Sequence, residues 1–303
     1  MPEYLRRAMS GRDNIVRTAY AQDESALKAL WRAVFGDDPA DIDHFFETYF
    51  SPELTAVIDE DKTPVSAAYI LPVGRLVRPG RTPVDCAMIY AVATQPACRG
   101  RGYGEAVTGA AGNLAVKRGF PAVVLKPADD GLFDFYGQRS DFREFFDVYE
   151  YRYRPSALPA PTLTAAPATP EAYRALRRHF LDGTVYIDMD ERGLAYQQYL
   201  CAASGGGLYA LSDGGRDAGC AIVEPDGPAV HVKELLLDSD RRPKDAVSAL
   251  AAHFPAAEYA VRTTSPCAVT PPTGKKRFGM LLANADLENG AAHNMKWYGP
   301  AFD

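Results

Sequence analysis

The sequence is poor in the residues that build disulfide and metal sites. Its 303 residues include only five cysteines and five histidines. No two cysteines form a C-x-x-C pair, and their odd number argues against a disulfide framework and against a structural zinc site. No H-E-x-x-H motif occurs either. We therefore expect free thiols in a reducing compartment, the cytoplasm, and chemistry that uses no protein-bound metal.

Long apolar runs and an excess of positive charge are also missing. The apolar runs fall far short of the roughly 20 residues that span a bilayer, and no secretory signal pattern opens the chain. Residues 1–13 are polar and cationic and are interpreted as a leader outside the fold. The formal net charge of −6 argues against nucleic acid as the main partner and suits a cationic substrate better than an anionic one. We expect neither a membrane nor a nucleic acid as partner.

One glycine-rich segment carries the pattern of a ligand-binding loop. It reads Arg99-Gly-Arg-Gly-Tyr-Gly104, between an apolar strand that ends Tyr90-Ala-Val-Ala93 and a helix that starts near Glu105. Glycine lets the backbone approach a ligand closely and adopt positive φ without strain. Neighbouring N–H groups can then converge on one anion, which the N-terminus of the helix also stabilises. The segment predicts a site for a ligand that carries phosphate.

Two common phosphate-binding motifs do not fit this loop. The Walker motif requires a lysine after its last glycine, and none of these glycines has one. The dinucleotide motif G-x-G-x-x-G would place its third glycine where Glu105 stands. The pattern that fits is [Q/R]-x-x-G-x-[G/A], read as Arg99, Gly102 and Gly104.

That pattern on such a strand resembles the GNAT superfamily of acyl-CoA N-acyltransferases. In this family the loop binds the pyrophosphate of coenzyme A, and the preceding strand binds the pantetheine arm through backbone groups. The resemblance implies acetyl-CoA as cosubstrate. The cofactor-binding residues that it implies are Val92, Ala93 and Thr94 for pantetheine, with Arg99, Gly100, Arg101, Gly102, Tyr103, Gly104 and Glu105 for the pyrophosphate.

The order of predicted elements extends the resemblance from the loop to residues 14–154. Hydrophobic periodicity, caps and turns predict strands at 14–20, 54–58, 65–77, 84–93, 122–125 and 145–154, and helices at 23–35, 39–50, 105–118 and 132–138. This order matches the GNAT architecture. The expected fold class is therefore α/β, of the α+β mixed-sheet kind, with residues 14–154 as the catalytic domain that binds acetyl-CoA.

Residues 155–170 contain five prolines and no charged side chain, which predicts a linker with a polyproline II bias. Residues 171–303 are predicted to form a second, degenerate GNAT-like domain in tandem with the first. Its elements are expected at 170–181 and 243–254 for helices, and at 207–212, 218–224, 229–237, 257–263 and 278–283 for strands. The segment 230–237 takes the place of the central strand, but Asp238-Ser-Asp-Arg-Arg-Pro243 follows it without glycine. We therefore expect this copy to have lost coenzyme A.

Paired halves of this kind resemble the enhanced-intracellular-survival-like branch of the GNAT proteins. The second half would then line the acceptor groove and offer a surface for self-association, so a homo-oligomer is possible.

Acyl transfer from a thioester to an amine requires a neutral amine, correct placement and a proton for the departing thiolate. The resemblance implies Tyr136 as the proton donor, because it occupies the place of the family's helix tyrosine. The family continues Tyr-x-x-x-Gly-Phe, whereas this chain runs Tyr136-Gly-Gln-Arg-Ser-Asp-Phe142, one residue longer and without that glycine.

Several groups are candidates for the general base. Asp85 and Tyr90 lie on the central strand and Glu47 on the second helix, and a water chain could serve instead. The resemblance to the branch named above implies a further candidate, the carboxylate at Asp303. Asp129 and Asp130 could line the mouth of the acceptor site, but an N-cap for the following helix is the favoured interpretation.

The predicted function is that of an N-acetyltransferase which joins acetyl-CoA and a primary amine in a ternary complex. The acceptor is a small-molecule or peptide amine that the sequence does not specify. The alternative is a protein that binds acyl-CoA without catalysis, as a sensor or a scaffold.

Overall fold

The computed structural model describes residues 16–238, 242–267, 270–283, 287 and 295–302. Seven α-helices and fourteen β-strands lie in these ranges. The described residues fall into two compact units. The first lies within Met1–Pro72, Val84–Glu144 and Gly279–Glu288, and the second within Val73–Pro83, Phe145–Phe278 and Asn289–Asp303.

The first unit is built on a mixed sheet. Its strands are β1 (Val16–Thr18), β2 (Thr55–Glu60), β3 (Thr63–Arg78, as far as Pro72), β4 (Arg81–Thr94, from Val84 onward), β5 (Ala122–Leu125) and the end of β13 (Gly274–Ala283), in the order β1-β2-β3-β4-β5-β13. The pairs β1–β2, β2–β3 and β5–β13 are antiparallel, whereas β4–β5 is parallel. The predicted mixed α/β fold class is thereby confirmed.

Four helices flank this sheet: α1 (Glu24–Phe35), α2 (Pro39–Tyr49), α3 (Tyr103–Lys117) and α4 (Asp130–Arg139). Their ends carry local signals. Helix α1 ends at Gly36, whose φ of 77° suits glycine, and Asp38 caps α2 ahead of Pro39. Asp129 caps α4 by accepting a hydrogen bond from the N–H of Leu132, which confirms its interpretation as an N-cap.

Helix α3 lies close to the sheet because its inner face is made of small residues. Val107, Ala111 and Ala115 are fully buried. A Cβ atom at Gly112 would come within 2.9 Å of the Leu282 side chain on β13. The contact fixes the helix against the strands and thereby fixes the position of its first turn.

The second unit contains the strands β6 (Arg143–Tyr153, from Phe145 onward), β7 (Thr164–Pro167), β8 (Val185–Met189), β9 (Gly207–Asp213), β10 (Arg216–Asp226), β11 (Ala229–Leu237), β12 (Glu258–Thr263) and β14 (Lys296–Trp297). Six of them follow the order β6-β12-β11-β10-β9-β7. Strand β8 pairs with β14 and with the Gly74–Val77 part of β3. The helices are α5 (Pro170–Phe180), α6 (Glu191–Ala202) and α7 (Pro243–Ala251).

The structure differs from the predicted linker at residues 155–170. Leu163 is buried, and β7 pairs with β9 through Thr164–Pro167. Proline lacks a backbone donor but is compatible with an edge strand, which is where β7 lies. The segment therefore ends in the sheet of the second unit.

Two elements between residues 182 and 206 had no predicted counterpart. These are β8, all five residues of which are buried, and α6. Elsewhere the observed bounds differ from the predicted ones by a few residues. No helix in the described part of the chain is long and apolar enough to cross a membrane.

Candidate functional site

Strands β4 and β5 separate next to the glycine-rich loop. Their parallel pairing joins Cys86–Met88 to Ala122–Val124, and β5 ends at Leu125 while β4 continues to Thr94. Ala91 adopts a φ of 47°, which is uncommon for a residue with a side chain and turns the strand locally. The last residues of β4 thus extend beyond the end of β5, and their backbone groups on this side can bind a ligand.

The three residues predicted to contact pantetheine lie on this part of β4. The Ser66 hydroxyl donates a hydrogen bond to the carbonyl of Ala93 over 2.8 Å and lies 2.9 Å from the Thr94 hydroxyl. The Arg99 side chain donates through Nε to the carbonyl of Thr94 over 3.3 Å. Val92 packs against the core of the first unit. The structure therefore brings the end of β4 and the start of the loop together.

The backbone of the loop has a conformation that can bind an anion. Gly100 and Gly102 adopt φ values of 77° and 81°, and a Cβ at Gly100 would meet no atom within 4 Å. Gly102 is the N-cap of α3, and no side chain caps this helix. The N–H groups of its first turn have no partners within the helix. The open, uncapped N-terminus fits a pyrophosphate group.

A carboxylate that the sequence analysis did not identify lies beside the loop. Arg101 Nη1 is 2.6 Å from Oε1 of Glu60, and the Tyr103 hydroxyl donates to the same oxygen over 2.8 Å. The hydrogen bond from Tyr103 and the positive charge of Arg101 lower the pKa of Glu60. Glu60 is separated from Arg101 by 41 positions, so no local pattern could have revealed it.

A second ion pair joins the loop end to helix α4. Arg139 Nη1 lies 2.9 Å from Oε2 of Glu105. Glu105 is in the first turn of α3, where its carboxylate would repel a bound anion. The guanidinium of Arg139 offsets that charge.

Tyr136 lies on α4 and is 8 % exposed. Its ring belongs to the same hydrophobic cluster as Val107 and Ala111 of α3. Burial, with a smaller contribution from the charge of Asp129, raises the pKa of Tyr136 to about 12. The phenol therefore stays protonated at ordinary pH and can serve as a hydrogen-bond donor.

The structure places Asp85, one candidate for the general base, far from the glycine-rich loop. The role of general base stays unassigned among the other candidates. Asp85 is exposed near the far end of β4, roughly 30 Å from Thr94 by the rise of a strand. Glu47 is exposed on α2. The Tyr90 ring lies among aromatic residues, 5.7 Å from Phe45 and 6.0 Å from Trp31 by ring centroids. Asp303 lies outside the described residues.

Over its described residues, the second unit keeps its parallel strands paired almost to the end of β11. Its parallel pair β11–β12 runs from Ala229 opposite Glu258 to Leu235 opposite Thr263, with one irregularity after Val232. Residues 239–241 of the predicted glycine-free connection lie outside the described ranges. Over residues 16–238, 242–267, 270–283, 287 and 295–302, no group of three or more His, Cys, Asp or Glu side chains is placed to hold a metal ion.

Comparison with known proteins agrees with this geometry. Residues 15–154 match the family model of the GNAT acetyltransferase domain. No curated protein matches the chain by sequence. The chain is similar in structure to a probable N-acyltransferase from Enterococcus faecalis V583, with a TM-score of 0.69 at 13 % identity over 88 % of this chain and 71 % of that one.

Two further solved structures show the same architecture. A GCN5-related N-acetyltransferase from Anabaena variabilis ATCC 29413 has a TM-score of 0.68 at 17 % identity, over 88 % of this chain and 71 % of that one. Eis1 from Mycobacterium abscessus has a TM-score of 0.56 at 14 % identity, over 88 % and 72 % of the two chains. At such low identity these similarities concern the fold.

The family match and the fold define the class of protein. Residues 15–154 form a GNAT acetyltransferase domain, and the protein is an acyltransferase of this type. The resemblance inferred from the glycine-rich loop is thereby confirmed.

Proposed function

We propose that the protein transfers an acetyl group from acetyl-CoA to a primary amine by direct attack in a ternary complex. The observation that carries the proposal is the extension of β4 beyond the end of β5, next to an uncapped, glycine-rich helix N-terminus. The open strand edge suits the amide-bearing pantetheine arm, and the helix N-terminus suits the pyrophosphate.

The chain's own groups then have distinct roles. Val92, Ala93 and Thr94 orient the pantetheine arm, and the amides from Gly100 to Glu105 hold the pyrophosphate. Arg99 and Arg101 add positive charge to the loop. Bound acetyl-CoA supplies an activated thioester, and the protein places an amine against it, which is the larger part of the catalysis that such a reaction needs.

Tyr136 is proposed to stabilise the departing thiolate. A thiol has a pKa of about 8.5, so it can leave as an anion when one hydrogen-bond donor faces it. Because its pKa is about 12, the Tyr136 phenol keeps its proton over the range in which an amine acceptor becomes neutral. Tyr136 therefore contributes a hydrogen bond to the departing sulfur. The proton that the thiolate then takes up comes from solvent or from the acceptor amine.

The remaining assignments stay predictions: Asp303 as the general base, a small-molecule or peptide amine as acceptor, self-association and a cytoplasmic location.

Replacing Tyr136 by Phe tests its role. The ring stays in its hydrophobic cluster while the donor is removed, so we expect kcat to fall about 100-fold, within the range for loss of one preorganised hydrogen-bond donor, with little change in the KM for acetyl-CoA. Steady-state kinetics of thiol release measures both constants. The matched control is Tyr153→Phe, which removes a buried hydroxyl in the second unit and is expected to leave kcat unchanged. Equal turnover by Tyr136→Phe and the native protein would contradict the assignment.

The proposed function is tested by calorimetric titration with acetyl-CoA and with acetyl-pantetheine, which lacks the pyrophosphate. We expect micromolar binding that requires the pyrophosphate, followed by thiol release when a panel of amines is added. Binding without thiol release for any amine would favour a sensor or scaffold. Equal affinity for acetyl-pantetheine would contradict the role given to the loop.

A further inference from the structure

The second unit contains a cavity of about 340 Å³ on one face of its sheet, over β6, β10, β11 and β12. Side chains alternate between the two faces of a strand. Tyr151, Val232 and Val261 belong to the hydrophobic core of this unit, and the alternate residues of these strands face the cavity. Its volume lies at the lower end of the range of about 300–1,000 Å³ for small-molecule sites.

Strand register places an alanine at the floor of this cavity. Glu224 pairs with His231, His231 with Ala260, and Ala260 with Arg152. These four residues form one row across β10, β11, β12 and β6. Ala260 has by far the shortest side chain of the row, so the space above it is open while its neighbours form walls.

Cations surround that open position. Arg152 lies beside Ala260 on β6, and its guanidinium pairs with the carboxylate of Glu258 at the start of β12. Arg262 follows Ala260 on the same face of β12, and its guanidinium is 5.3 Å from the centre of the Phe278 ring. Lys233 of β11 also lines the cavity, and its side chain is only 11 % exposed. A carboxylate above Ala260 would lie within reach of these groups, and guanidinium groups bind carboxylates with strong, directional hydrogen bonds.

Carboxylates occupy the outer strands of the same cavity. Glu224 on β10 lies 2.8 Å from Lys233 Nζ, and Asp226 on the same strand lies 3.6 Å from His231 Nε2. Glu150 on β6 pairs with Lys276 over 2.7 Å. The cavity is therefore lined by charges of both signs on neighbouring strands, about one strand spacing, roughly 5 Å, apart.

We propose that this cavity binds a small zwitterion with a carboxylate and an ammonium group, the class to which free α-amino acids belong. The carboxylate lies above Ala260 between Arg152 and Arg262, and the ammonium group faces Glu224 and Asp226. A ligand with both charges can bind the lining cations and carboxylates at once, whereas a ligand with one charge would meet lining groups of its own sign. The site is separate from the anion-binding loop, and the proposal does not depend on acyl transfer.

The test is calorimetric titration of the full chain with each common L-amino acid in the absence of acetyl-CoA. Each binder is compared with two analogues, one that lacks its amino group and one that lacks its carboxylate. We expect saturable binding of at least one amino acid, with both analogues weaker by about tenfold or more, the loss that follows from removing one charged hydrogen-bond partner. Absence of binding, or equal binding of either analogue, of inorganic phosphate or of a dicarboxylate, would overturn the proposal.

Three variants locate the bound molecule. Ala260→Met fills the floor and Arg262→Gln removes a central cation, and each is expected to weaken amino-acid binding about tenfold or more. Arg216→Gln, at the opposite end of β10, is the control and should bind normally. Acetyl-CoA binding and circular dichroism verify that each variant is folded. Native affinity in a folded Ala260→Met or Arg262→Gln protein would place the ligand elsewhere and overturn the assignment.

Discussion

The Gly104→Glu protein is expected to lose acetyl-CoA binding by at least about a hundredfold. Gly104 is in the first turn of α3, and a Cβ there would lie 3.8 Å from the Thr94 hydroxyl, so the fold can accept a side chain. The new carboxylate, however, would stand where we propose that the loop holds a pyrophosphate. Two like charges about 4 Å apart repel by about 4 kcal/mol near a protein surface, and about 1.4 kcal/mol corresponds to a tenfold change in affinity.

Helix α3 provides its own control for this substitution. Gly109 lies on the same helix, and a Cβ there would meet no atom within 4 Å. Gly109→Glu adds the same side chain and charge farther from the helix N-terminus and is expected to bind acetyl-CoA nearly as the native protein does. Calorimetry on both variants gives the comparison. Native affinity in Gly104→Glu would refute the role of the loop.

Gly102→Glu is also expected to abolish binding, but its result is less direct. Gly102 has a φ of 81°, and a left-handed conformation costs about 1–2 kcal/mol for a residue with a side chain. A loss of affinity there combines strain in the loop with charge repulsion. Gly104, whose backbone is helical, separates the two effects.

The Glu234→Gln protein is expected to be less stable by about 3–5 kcal/mol, the cost of breaking a buried ion pair from one side. Glu234 and Arg177 are both fully buried and lie 2.8 Å apart. Glu234 also accepts hydrogen bonds from the Tyr173 hydroxyl and from the indole N–H of Trp297. Glutamine leaves the Arg177 guanidinium buried without a negative partner. It also replaces one acceptor oxygen by an NH₂ group, which faces the donors of Arg177, Tyr173 and Trp297.

The partners of Arg177 explain why the effect should spread through the second unit. Its guanidinium also donates to the carbonyls of Ile187 on β8 and Gly299 in the C-terminal segment. Burial by itself would lower the pKa of Arg177, but the charge and hydrogen bonds of Glu234 raise it above the usual value. The arginine therefore stays charged and joins α5, β8, β11 and the segment 295–302.

Tryptophan fluorescence during urea unfolding measures the loss of stability in the second unit, where Glu234 lies. The chain has two tryptophans: Trp31 lies in the first unit, and Trp297 contacts Glu234. A Trp31→Phe background leaves Trp297 as the only tryptophan. Lys275→Gln is the control, because the pair that Lys275 forms with Asp147 is about half exposed and such pairs contribute about 0–1 kcal/mol. A loss in Glu234→Gln no larger than that of the control would contradict the prediction.

Local signals in the sequence were sufficient for the loop and for most elements of the first unit. Gly36, Asp38 and Asp129 mark helix ends because each acts on its own backbone within a few residues. The alternation of glycine from Gly100 to Gly104 likewise determines the shape of the loop. Such features depend on neighbours in the chain, so they can be read without knowledge of the fold.

Contacts between distant segments followed from the tertiary structure. Glu60 meets Arg101 because β2 ends at the edge where α3 begins, and Arg177 meets Gly299 across 122 positions. The row of Glu224, His231, Ala260 and Arg152 exists only because four strands pair in one register. A short window of sequence contains no information on register between separate strands, which is why the cavity above Ala260 had no counterpart in the sequence analysis.

The sequence by itself determined the glycine-rich loop, the resemblance to the GNAT family and the position of Tyr136 on a helix that follows β5. The tertiary structure alone decided that the pairing of β4 with β5 ends at Met88, that residues 164–167 join a sheet, and that each compact unit combines separate segments of the chain. The reason is physical. Turn and cap geometry is set by the conformational preferences of single residues, whereas strand pairing and burial are set by contacts whose cost in chain entropy depends on the whole fold.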